Sequence, residues 1–121
     1  MSTEAEKEQK AAKLQQQYNK YQEIVSELES QVFALRSKLE EHLIVEKTLN
    51  EIPEAQRQER KCFKMIGGVL VNKSVDKVIE ILKEEIEALK KEMVSVEAGL
   101  VKTTKEREDW MKGNNIKIVR Q

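Results

Sequence analysis

Two heptad frames that mirror each other about a Gly-Gly dipeptide constrain this chain more than any other feature. From Leu14, apolar residues recur in alternating steps of four and three through Tyr18, Tyr21, Val25, Leu28, Val32, Leu35 and Leu39; His42 and Glu46 then hold the frame until Leu49. A second frame runs through Val75, Ile79, Leu82, Ile86, Leu89, Met93, Val96 and Leu100, takes Thr103 and Arg107, and closes on Trp110. Such steps put one residue per turn on a narrow helical stripe, the seam along which a second helix packs knobs into holes. Folding the chain at Gly67-Gly68 matches the frames in mirror order. Leu14 meets Trp110, Val25 meets Leu100, Leu35 meets Leu89 and Leu49 meets Val75, and the paired residue numbers always sum to 124 or 125. Unrelated coiled-coil segments have no reason to be equally long and symmetric about a glycine turn. The pattern therefore predicts an intramolecular antiparallel pair, because a parallel dimer of long helices would strand the segment between them.

Composition fits helices of this kind. Charged residues make up 36% and aromatic residues 4% of the chain, against about 25% charged in an ordinary globular domain. Helices this long without a thick core pair along a seam and expose the rest. Thr3 with Glu6 predicts a capping box, Pro53 stops the first helix, and Ser74 is placed to cap the second. Gly113-Asn114-Asn115 is a stop signal, with Lys112 set against the helix dipole. The fold class is mainly α: a long antiparallel two-helix coiled coil with a β-hairpin at the connecting end. The expected boundaries within one domain are 4–52 for the first helix, 53–60 for a connector, 61–73 for the hairpin, 75–112 for the second helix and 113–121 for a tail. Glu46 occupies a seam position that favours an apolar residue, which predicts local repacking onto Leu43, Ile44 or Val45.

Between the helices, Arg60-Lys61-Cys62-Phe63-Lys64-Met65-Ile66-Gly67-Gly68-Val69-Leu70-Val71-Asn72-Lys73 changes to apolar and β-branched residues around two glycines. This is a two-residue hairpin signal, since primed turns need positive φ and glycine adopts it at little cost. Ile66 then faces Val69, Met65 faces Leu70 and Lys64 faces Val71. Phe63, Met65 and Leu70 fall on one face; Ile66, Val69 and Val71 fall on the other. A lone two-stranded ribbon with two apolar faces and two open edges is marginal in water. Partner chains are expected to supply the missing strands, which makes Phe63, Met65, Ile66, Gly67, Gly68, Val69, Leu70 and Val71 the candidate assembly site.

Several function classes are disfavoured. The 22 basic and 22 acidic residues alternate, so there is no basic stripe for a nucleic acid. The longest uncharged apolar run, Met65 to Val71, is too short to span a bilayer, and the first residues carry no apolar signal core. A membrane partner is not expected, and a cytoplasmic location is. Cys62, the single cysteine, reads as a small buried strand residue in a reducing compartment. His42 is the single histidine and falls on the seam, where packing is the expected role; neither a triad nor a His-rich metal site can be built around it. Gly67-Gly68 lacks the Gly-x-x-x-x-Gly-Lys-Ser/Thr spacing that cradles phosphate. No enzyme activity and no cofactor are expected.

Far from the hairpin the seam deteriorates: Thr103 opposes Tyr21, Arg107 opposes Tyr18, and only Leu14 with Trp110 lies beyond. Polar entries weaken seam packing, so this end is expected to splay and partly expose Leu14, Tyr18, Tyr21, Trp110, Met111, Ile116, Ile118 and Val119. Large, adaptable side chains on mobile backbone suit weak binding of apolar segments of an unfolded client. The alternative at this end is ordinary fraying, with Arg107 stacked on Tyr18.

The block from Arg60 to Val71, followed by the capped helix at Ser74-Val75, resembles the β-type subunits of prefoldin. Glu41-His42, Val45 and Thr48-Leu49 before the hairpin, and Trp110 with Asn115-Ile116-Lys117-Ile118-Val119 after it, extend the resemblance over nearly the whole chain. The resemblance implies a heterohexamer of two α-type and four β-type subunits, joined through their hairpins, with coiled coils whose tips hold unfolded actin- or tubulin-type clients. Such an assembly delivers those clients to the cytosolic chaperonin without ATP. The competing expectation is a structural coiled-coil scaffold or tether with no chaperone activity.

Overall fold

The computed structural model describes residues 3–117. Helix α1 spans Glu4–Asn50, a 3-10 turn spans Glu54–Gln56, strands β1 and β2 span Lys61–Ile66 and Val69–Ser74, and helix α2 spans Val75–Gly113. The expected bounds shift slightly. Helix α1 ends two residues before 52, where Pro53 at φ −52° and ψ 135° turns the chain into the 3-10 segment. Strand β2 runs on through Ser74, and α2 reaches Gly113.

Helix ends are where backbone groups lose their partners, and here most are accounted for. At the start of α1, the Glu6 N–H donates to Thr3 Oγ1 at 3.2 Å. At the start of α2, the Val75 N–H donates to the Arg60 carbonyl at 2.9 Å, Asp76 N–H to Arg57 at 3.3 Å, and Lys77 N–H to Ser74 Oγ at 3.3 Å. At the end of α1, the Arg57 guanidinium donates to two carbonyls, Ile52 and Asn50, each at 2.8 Å. The connector is thus a shared cap for both helices. At the end of α2, Asn115 takes φ 52°, with Ile116 N–H donating to Met111 at 2.9 Å and Asn115 N–H to Lys112 at 3.3 Å. That pair of bonds is a Schellman motif, with asparagine in the left-handed position that a short polar side chain tolerates.

The chain forms two compact units, residues 33–94 and residues 1–32 with 95–121. In the first, Leu39 packs with Ile86 and Leu89, flanked by Leu35 and Met93, so the helix segments run antiparallel in the expected register. In the second, Gln22 bonds Arg107 and Tyr21 stacks near Trp110, again antiparallel. Eight of the nine buried apolar residues among those described sit on the two heptad frames. The exception is Val78, one turn off the seam. Glu46 is half-buried in place, and Leu43, Ile44 and Val45 all stay exposed, so the expected repacking onto them does not occur; Val45 lines an open cavity together with Leu49 and Val78.

Candidate assembly and client-binding sites

Strands β1 and β2 pair antiparallel with Ile66 opposite Val69, Met65 opposite Leu70 and Lys64 opposite Val71, the register read from the glycine turn. Gly67 and Gly68 take φ +56° and +80°, the two positive values that a type I′ turn requires. Side chains alternate across the ribbon. Phe63, Met65 and Leu70 lie on one face and remain 69%, 60% and 59% exposed. On the other face Cys62, Lys64, Val71 and Lys73 are half-buried, while Ile66 and Val69, next to the turn, stay exposed. The ribbon therefore has one docked and one bare face where the sequence predicted two bare ones. Cys62 is half-buried where burial was expected.

The docking is polar at its centre. Lys64 Nζ, on a side chain only 15% exposed, lies 3.2 Å from the Glu85 carboxylate of α2. His42 Nε2, from α1, lies 2.9 Å from Glu85 Oε2, and His42 Nδ1 lies 2.8 Å from the Lys38 carbonyl oxygen. Both ring nitrogens thus face acceptor oxygens. Beside this cluster an open cavity of ≈ 330 Å³ is lined by Val45, Leu49, Cys62, Phe63, Val78 and Leu82 among others. Sequence reasoning placed His42 on the seam but missed Glu85 and Val78. They lie one heptad apart on the flank of the seam that the ribbon covers, and only the ribbon's position distinguishes that flank from the exposed one.

The candidate client site lies in the unit built from the first part of α1 and the last part of α2. Leu14, Tyr18, Tyr21, Trp110, Met111 and Ile116 are all half-buried. Ile118 and Val119, also named from sequence, lie outside the described residues. Tyr21 and Trp110 pack with ring centroids 5.5 Å apart and planes tilted by 46°, within the favoured range for aromatic pairs. The mirror rule had paired Trp110 with Leu14. Helical side chains lean toward their own N-terminus, so in antiparallel helices Tyr21 and Trp110 lean toward each other and meet above the Tyr18–Arg107 layer. Arg107 Nη1 donates to Gln22 Oε1 at 2.5 Å. The Schellman turn returns Ile116 to α1, where it lines an open cavity of ≈ 330 Å³ with Ala11, Leu14, Gln15, Tyr18 and Lys117. No helix among the described residues is long and apolar enough to cross a membrane.

Two long helices joined through an antiparallel β-ribbon with one bare apolar face define a mainly helical coiled-coil hairpin protein. The family described as prefoldin subunit matches residues 7–121. Prefoldin subunit 2 of Saccharomyces cerevisiae is 35% identical over 113 residues, covering 93% of this chain and 98% of its own length. Probable prefoldin subunit 2 of Schizosaccharomyces pombe is 33% identical over 108 residues, covering 89% of this chain and 91% of its own. Probable prefoldin subunit 2 of Drosophila melanogaster is 36% identical over 123 residues, covering 98% of this chain and 80% of its own. The chain belongs to the prefoldin subunit family. It is a non-enzymatic co-chaperone component whose partners include other prefoldin subunits.

Proposed function

We propose that this chain is one of four β-type subunits in an ATP-independent heterohexamer with two α-type subunits. The assembly holds unfolded clients of the actin and tubulin type and delivers them to the cytosolic chaperonin. The β-ribbon is the assembly site, and the residues around Leu14, Tyr18, Tyr21, Trp110, Met111 and Ile116 form the client site. This reading places the protein in the cytoplasm, where that chaperonin works.

The observation that carries it is the ribbon: Phe63, Met65 and Leu70 are exposed on a sheet of only two strands. Such a surface in water needs strands from elsewhere. The test is to purify the native complex through this chain and measure its mass and composition, then mix it with denatured actin without ATP. A six-subunit complex that delays aggregation is the expected result. A complex lacking other prefoldin subunits, or aggregation at the unassisted rate as for a mere tether, refutes the proposal. In the same assay, Val69→Asp with Leu70→Asp should yield free helical subunits by light scattering.

A further inference from the structure

The β-ribbon raises a question of facing. Its two faces carry similar apolar sets, Phe63, Met65 and Leu70 against Cys62, Ile66, Val69 and Val71, so hydrophobic burial alone gives little preference for which one turns to the helices. Lys64 lies at the centre of the docked face, with Lys73 on the same face nearer the helices and Lys61 on the bare one. Turned to solvent, the Lys64 ammonium would be fully hydrated; turned inward, it loses water and needs an anion. Docked, the Lys64 side chain is 15% exposed and Nζ lies 3.2 Å from Glu85, whose carboxylate also meets the His42 ring, 16% exposed, at 2.9 Å. The three residues come from β1, α2 and α1, so the cluster fixes the ribbon to both helices.

We propose that Glu85, steadied by His42, is the positioning residue that selects the facing of the ribbon: it holds Lys64 inward and leaves Phe63, Met65 and Leu70 outward for partner subunits. The second half of that statement rests on the assembly reading above; the first half stands without it. Partly buried ion pairs contribute little net stability but penalise the arrangement in which one member is left alone. Removing Glu85 therefore does more than loosen the ribbon. It makes the docked facing the unfavourable one, because Lys64 alone prefers water.

Cys62, the single cysteine, shares the docked face with Lys64 and is half-buried, so its labelling rate by a thiol reagent reports the facing in the full chain. Glu85→Gln should accelerate labelling by about tenfold, with helical circular dichroism unchanged. Lys64→Met combined with Glu85→Gln should return the rate toward wild type, since no charge is then left unpaired. Glu80→Gln, which breaks the exposed Lys77–Glu80 pair at 3.4 Å, should change nothing. Wild-type labelling in Glu85→Gln, or a double variant as fast as the single one, overturns the proposal. Should Glu85→Gln fail to fold, Lys64→Met alone decides: it removes the ammonium that prefers water, so labelling must not rise above wild type, and a rise overturns the proposal. Leu70→Asp, on the bare face, tests assembly separately, so a normal complex from that variant refutes the assembly reading without touching the facing result.

Discussion

At the residue scale, three glycines separate conformational need from steric need. Gly67 and Gly68 hold positive φ in the turn, whereas Gly99 lies inside α2; at all three an added Cβ would meet no atom within 4 Å. Glycine inside a helix is less favourable than alanine by about 0.5–1 kcal/mol. Gly99→Ala should therefore raise stability in chemical denaturation by about that amount. Gly68→Ala should lower it by roughly 1–2 kcal/mol, because an L-residue is strained in the left-handed region whatever the room. Opposite signs from two equally uncrowded sites are the expected outcome. A loss at Gly99 would show that some neighbour uses the bare backbone there.

At the scale of elements, the connector decides how two helix ends are closed. Arg57 donates to the Ile52 and Asn50 carbonyls while its own carbonyl accepts from Asp76 N–H. Arg57→Ala should destabilise the chain by about 1–2 kcal/mol, read by thermal or urea unfolding. Arg57→Lys should not restore the loss, because one ammonium cannot reproduce the planar fork. Nothing in the sequence pointed to Arg57, since its partners are backbone carbonyls and carry no residue signature. The heptads, by contrast, were legible because seam packing imposes a period, and the turn because positive φ imposes glycine. Val25, Val32, Leu39, Ile79, Leu82, Ile86 and Leu89 are buried where the frames put them. Val78 and Glu85 were not legible: their environment comes from a ribbon 4 to 24 residues away in sequence folding over one flank. The Tyr21–Trp110 stack was missed for a subtler reason. The mirror rule pairs backbone levels, while long side chains meet according to the direction in which they lean.

At the scale of the whole molecule, the proposed roles fall in different compact units, assembly in residues 33–94 and client holding in residues 1–32 with 95–121. Variants should therefore divide the two functions. Replacing Tyr18, Tyr21 and Trp110 with Ser removes the aromatic stack and much of the apolar surface beside the Ile116 cavity. The complex should keep its mass while its hold on denatured actin weakens by roughly tenfold, the order expected when a client loses burial worth about 25 cal/mol per Å² over tens of Å². Loss of the stack also loosens local packing, so a second variant is needed to separate contact from stability. Leu14→Ser with Ile116→Ser strips the cavity lining and leaves Tyr21 against Trp110. If client retention falls in both variants while complex mass and helicity hold, the apolar surface itself makes the contact. If retention survives in the second variant and fails only in the first, the stack acts by ordering the unit, and the client contact lies elsewhere. If retention survives in both, the client site is misassigned, and the Tyr21–Trp110 pair serves only to close a seam that Thr103 and Arg107 leave weak.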